Sequence, residues 1–332
     1  MNEQSDKKLS RRQLLARAGK AGISIAAAGS VSYLLYDATG PKAGVEDEKH
    51  VTLKDFSVQH RPGQTISIAK GSDRVKTLNK AIELLGGIER FVKPGETVAI
   101  KPNVAFASPA MLCATTNPEL VAEVVRLCYS RGKAKKVIVT DNPINDPASC
   151  FTLSGIGKAA SAAGAEVVLP KAHLFKHTTL TGGRLIKDWP IFFEPFNKVD
   201  KLIGIAPVKN HHRTGASMTM KNWYGLLGGR RNIFHQDINT IISELAMMVR
   251  PTLVILDGTE VMVTNGPTGG SISDLRRANT LIASTDCVAA DSYGCGLLDM
   301  KVSDLPYLAK AEKAGAGTTD YEKLEPISVT VS

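Results

Sequence analysis

ETVAIKPNVAFASPAMLCATTNPELVAEVVRLCYSRGKAKKVIVTDNP, residues 96–143, decides the fold. The run ETVAIKPNV reads as a strand that ends in a loop. NPELVAEVVRLCYSRG reads as a helix, starting after Asn117 with Pro118 in its first turn and stopping at Gly132. AKKVIVTDNP is a second strand running into a loop. Strand, helix and strand in this order predict a parallel pair with a crossover helix. The pattern repeats outward. TISIAKG and VKTLNKAIELLGGI come before it as strand and helix, and GIGKAASAAGAEVVL follows as helix and strand. DKLIGIAPVK and TLVILDGT are short buried strands, and DCVAADSYGCGLL and SDLPYLAKAEKAG are helices. The expected fold class is α/β, a mostly parallel sheet with flanking helices, after an N-terminal export signal. The α/β domain is expected over residues 65–332. Residues 38–64 are polar, with Gly40, Pro41, Pro62 and Gly63, and read as a linker (44–64 once the leader is set aside) plus an early strand.

Residues 1–43 read as an address. SRRQLLARAGKAGISIAAAGSVSYLL places Arg11 and Arg12 before Leu14 and Leu15, and an uncharged run extends from Ala21 to Tyr36. A basic start, paired arginines and a mildly apolar core form a twin-arginine export signal. The run is shorter than the roughly 20 residues a membrane-spanning helix needs. Cleavage near Ala43 or retention as an anchor both remain open. The protein is expected to use the twin-arginine export machinery and to work in the periplasm or anchored to the outer face of the cytoplasmic membrane. That route carries folded proteins, often loaded with a cofactor.

The chain has 332 residues, 43% hydrophobic, enough for a sizeable core, and a net charge of +9. Aromatics are only 5%, and no nucleic-acid motif is visible, so the charge points to a small anionic ligand and no nucleic acid. Five cysteines stand at 113, 128, 150, 287 and 295 without a CxxC pair, which argues against a ferredoxin-type cluster or zinc ribbon. They read as small buried residues.

In an α/β sheet, ligands gather at the carboxyl ends of strands. VKNHHRTGASMTMKNWYGLLGGRRNIFH, residues 208–235, lies at such a position and holds three of the seven histidines, five Lys or Arg and no acid. Lys209, Arg213, Asn222, Arg230 and Arg231 are candidate contacts to an anion, because converging cations repel until a carboxylate or phosphate relieves them. His211, His212 and His235 are candidate metal ligands, and His211, Lys221 and His235 candidate catalytic groups. Lys209, His211, His212 and Arg213 are expected just past a strand, and Lys221 to Tyr224 on a helix. Lys101 and Asn103, ending an earlier strand, are further ligand contacts. Gly269 and Gly270, in the loop TNGPTGGS after another strand, could cradle an anion. Asp257, Glu260, Asp274, Asp286 and Asp291 are candidate acids, with Asp286 equally suited to capping a helix, and Asp141 and Asn142 end a strand. A metal- or cofactor-dependent enzyme and a non-catalytic anion carrier both fit.

The leader, KPNVAF with ATTNPELVAEVV, VIVTDNP, KNHHRTGASMTMKNWYGLLGGRRNIFHQ, LVILDGTEVMVTNGPTGG and LIASTDCVAADSYG together resemble domain-of-unknown-function family 362, over roughly residues 95–325. Many members carry an added ferredoxin-like cysteine cluster, which this chain lacks. A more remote likeness is to lactate-racemase-type enzymes, which hold a nickel-pincer nucleotide on a lysine. It implies that Lys221 holds such a cofactor, His235 binds the metal and His211 moves protons, with the basic and glycine-rich loops on its phosphate.

Overall fold

The computed structural model describes residues 50–332, together with Arg12. The export signal expected over 1–43, Arg11 included, lies outside the described residues. Among them, no helix is long and apolar enough to cross a membrane. Residues 50–64 form no strand, unlike the early strand expected there. Leu53 and Phe56 of this stretch are buried, and Phe56 N donates to Arg250 O at 2.9 Å.

Among the described residues there are eleven strands: β1 Ile66–Lys70, β2 Thr97–Lys101, β3 Lys136–Thr140, β4 Glu166–Val168, β5 Phe175–Thr178, β6 Trp189–Phe192, β7 Lys201–His211, β8 Gly215–Ser217, β9 Leu253–Met262, β10 Leu275–Ser284 and β11 Ile327–Thr330. The main sheet runs β11-β1-β10-β9-β7-β2-β3-β4, with β8 hairpinned onto β7, and β5 and β6 form a small sheet of their own. Along the main path every strand runs the same way except β10, which is antiparallel to both β1 and β9. The mostly parallel α/β sheet read from the sequence is therefore the fold.

Helices cover both faces: α1 Arg74–Leu84, α2 Pro118–Ser130, α3 Pro147–Leu153 and α4 Ile156–Ala162, then α5 Thr219–Asn222, α6 Ile238–Met248, α7 Cys287–Gly296 and α8 Pro306–Lys313. Alternation along β2 sorts the two cores. Val98 and Ile100 pack with Leu78, Leu120, Val124 and Phe151, while Ala99 packs on the side of Ile241, Leu245, Val288 and Leu308. A strand buried on both faces reads as a continuous apolar run, which is why β2, β3 and β7 stand out in the sequence. The α2 cap is as expected: Asn117 accepts from Glu119 N, with Pro118 next. Asp286 likewise caps α7, accepting from Val288 N and Ala289 N.

Two expectations need correction. β7 runs on to His211, so Lys209 and His211 belong to the strand and only His212 and Arg213 follow it. β9 continues through Asp257 and Glu260 to Met262, where the sequence read a loop. The β7 extension is polar and the β9 extension carries Asp257 and Glu260 among apolar residues, and each is paired outside the local pattern: Lys209 with Ser217 of β8, and Met262 with Leu275 of β10. Cross-strand pairing overrides composition there. All five cysteines are buried and unpaired.

Candidate functional site

From β2 the chain winds through β3 to β4 on one side, while β7 leads to β9 on the other. The sheet thus reverses direction of winding between β2 and β7, and a crevice opens at their carboxyl ends. It holds a cleft of about 260 Å³, walled by the loop after β2, the end of β3, the end of β7, α5 and the turns that follow it.

The floor is a buried ion pair. Lys101 Nζ lies 2.6 Å from Asp141 Oδ1, and Asp141 Oδ2 accepts from Val104 N at 2.7 Å. Burial lowers the Lys101 pKa, and Asp141 opposes the shift. Asn222 staples α5 onto this floor: its Nδ2 donates to Lys101 O and Ile205 O, and its Oδ1 accepts from Lys101 Nζ and Asn103 Nδ2. Gly225 makes the approach possible. A Cβ there would overlap Asp141 Oδ1 and come within 2.9 Å of Lys101 Nζ.

Above the floor the cations accumulate. Lys209 is 1% exposed; its Nζ donates to Asn103 Oδ1 at 3.3 Å and Ala114 O at 2.5 Å and sits over the Phe106 ring. Burial, reinforced by the charge of Lys221, lowers its pKa to about 7. Lys221 lies over Tyr224, 5.1 Å from the ring centroid, and burial followed by Arg231 lowers its pKa to about 8. Arg231 is clamped to carbonyls of Asn142, Pro143, Tyr224 and Leu227, so it contributes charge more than a free fork.

Three imidazoles line the wall. His211 Nδ1 accepts from Arg213 N at 3.1 Å, which assigns the neutral ring's proton to Nε2. His235 Nδ1 faces Asn232 O and Tyr224 Oη, each at 3.2 Å, and His212 Nδ1 faces Gly266 O at 3.3 Å. A carbonyl only accepts, so those two rings carry the proton on Nδ1 and leave Nε2 a lone pair. Burial and the surrounding cations lower the His211 pKa to about 2, and burial, then Lys221, lowers that of His235. The ring centroids of His211 lie 5.2 Å from His212 and 6.5 Å from His235. Among the described residues no three His, Cys, Asp or Glu side chains converge as a metal ligand set. His211 Nδ1 is already engaged and its Nε2 carries the proton, so the three rings do not fit a metal held by them alone.

The cleft thus gathers Asn103, Lys209, His211, His212, Arg213, Lys221, Asn222, Arg231 and His235, with Lys101 beneath. Arg230 is exposed and lines an adjoining depression with Gly228 and Gly229. Gly269 and Gly270 do not line the cleft. Their loop closes on its own carboxylate: Asp274 accepts from Thr264, Asn265 and Ser271 N. Asp257 and Glu260 pair with Arg74 at 3.2 and 3.4 Å. Asp291 sits beneath α5, accepting from Thr219 N, Thr219 Oγ1 and Met220 N. Asp141 is therefore the one carboxylate lining the cleft among the described residues. The sequence marks Gly225 and Tyr224 only by the crowding of WYG against Lys221 and Asn222, and assigns neither a role in the site.

A thylakoid-associated protein of Synechocystis sp. is 29% identical over 268 residues, 76% of this chain and 78% of that protein. The lactate racemase apoprotein of Thermoanaerobacterium thermosaccharolyticum is 12% identical with a TM-score of 0.40, over 74% of this chain and 58% of that one. A crystal structure of a Thermotoga maritima protein gives 13% identity and a TM-score of 0.40, over 69% of this chain and 60% of that one. Likenesses this distant carry nothing about chemistry. A family model described as a domain of unknown function, DUF362, matches residues 98–296, which span the sheet's centre and every cleft residue described above, and the chain belongs to the DUF362 family.

Proposed function

We propose that the cleft binds a small anion, a carboxylate or a phosphate-bearing molecule, and moves protons on it. The observation that carries this reading is the charge imbalance. Lys209, Lys221, Arg213 and Arg231 line a cleft whose one carboxylate, Asp141, is held by Lys101. An anion that satisfies buried cations gains charge-assisted hydrogen bonds of about 1.5–3 kcal/mol each. The opposed tautomers of His211 and His235 favour chemistry over mere carriage, since one ring presents a proton and the other a lone pair. Calorimetric titration with acetate, glycolate and phosphate tests binding. Proton NMR of the bound acids in D₂O then tests for exchange of carbon-bound hydrogen. Exchange that disappears in His235→Gln supports an enzyme. Binding without exchange of any acid leaves a carrier, and the absence of binding removes the anion site.

The paired arginines of the leader, with the thylakoid association of the Synechocystis relative, support a working place at a membrane beyond the cytoplasm.

A further inference from the structure

Among the cleft's cations Arg213 is exposed to solvent, and each of the others but one has a hydrogen-bond partner. Lys101 has Asp141, Lys209 donates to Asn103 and Ala114 O, and Arg231 is clamped to carbonyls. Lys221 has the face of Tyr224 and no hydrogen-bond acceptor among the described residues. Its amine opens on a small cleft whose other cations suit a carboxylate. From this placement we infer that Lys221 is an amine nucleophile and that the ligand is a 2-oxo acid, captured as an imine on Lys221. This deepens the anion reading above, rests on it, and names its substrate class.

The pieces agree chemically. Desolvated lysines beside other cations are activated nucleophiles. With its pKa lowered to about 8, roughly a tenth of Lys221 is free amine at neutral pH, some hundredfold more than an ordinary lysine offers. The Nζ lone pair attacks the carbonyl carbon, a C–N bond forms, and the carbonyl electron pair moves to oxygen, which takes a proton. Both N–H protons leave in turn, the oxygen takes a second proton, and its loss as water gives the imine. Amine and carbonyl thus yield imine and one water, with no oxidant or reductant. The His211 Nε2–H can donate a hydrogen bond to the developing oxygen, and the His235 Nε2 lone pair can take protons from nitrogen and pass them to that oxygen. The remaining cations hold the adjacent carboxylate.

The test treats the full-length protein with glyoxylate, the smallest 2-oxo acid, and sodium cyanoborohydride, and locates the reduced adduct by intact mass and peptide mapping. The expected result is one carboxymethyl group on Lys221. It should form about a hundredfold faster at neutral pH than on exposed lysines, with a rate midpoint near pH 8. Lys221→Arg, which keeps the charge, should lose the fast adduct. Should that variant not fold, the mapped position in the unaltered protein decides. Titration with glycolate, which has the acid but no ketone or aldehyde, runs in parallel. Glycolate binding without a fast adduct on Lys221 overturns the imine and leaves the anion site standing. Neither binding nor adduct overturns both, and labelling spread evenly over surface lysines overturns the imine.

Discussion

Lys209 Nζ is held only by Asn103 Oδ1 and Ala114 O, neutral acceptors that leave its charge uncompensated in a buried place. With the Lys209 pKa lowered to about 7, a bound anion draws its amine back to the ammonium form. Anion binding should therefore take up a proton, and affinity should weaken as pH rises through 7 to 8. Calorimetry in two buffers of different ionisation enthalpy reads the uptake, and a pH-independent affinity would contradict it. The floor pair gives a second expectation. Asp141→Asn strands a buried ammonium, and removing one member of a buried pair costs about 3–5 kcal/mol. Urea denaturation should show a loss of that order, whereas an exposed pair such as Lys80–Glu83 should cost about 1 kcal/mol or less.

At the scale of elements, α5 is four residues long and cannot hold itself in place. Asp291, from α7, fixes its first turn by accepting from Thr219 and Met220, and Asn222 fixes its last against β2 and β7. Asp291→Ala should leave those donors unsatisfied and lower stability by about 2–3 kcal/mol, and anion affinity should fall because Lys221 rides on this turn. Gly225→Ala acts from the other side. Its Cβ would meet the buried ion pair, so about 1–3 kcal/mol of overpacking is expected, with anion binding weakened. Denaturation together with titration checks both variants. Anion affinity unchanged in both would mean that α5 does not position the site. These elements were partly legible. Asn117, Pro118 and Asp286 announced their helix starts, but the ends of β7 and β9 did not announce themselves. Residues there become strand because β8 and β10 come back to pair with them.

For the whole molecule, the buried neutral imidazole of His211 sets an acid limit. Its folded pKa, about 2, lies below the ordinary 6.5, so the unfolded chain binds the proton first. Its contribution is full above 6.5 and is lost progressively as pH falls towards 2. His235 is shifted the same way. The melting temperature should drop between pH 7 and 5, and His211→Gln should flatten part of that drop; an unchanged slope would show that His211 does not stay neutral. Export belongs to this scale too. Replacing Arg11 and Arg12 with lysines should leave the protein in the cytoplasm, as cell fractionation would show; unchanged export would remove the twin-arginine reading.

The sequence by itself determined the mostly parallel α/β sheet, because buried parallel strands and their crossover helices write local, periodic patterns. It also marked residues 208–235 as a basic, histidine-bearing stretch, part of which lines the cleft. It did not separate the residues that face the cleft from those that merely lie near them in the chain. Lys101, Asp141 and Gly225 come from three distant segments, and their meeting depends on β2 and β3 lying side by side beneath α5. Which cations are already satisfied was likewise a tertiary matter. Hydrogen bonds to Asn103, Ala114 and the carbonyls around Arg231 engage some and leave Lys221 open, and no local pattern records pairings made across a hundred residues.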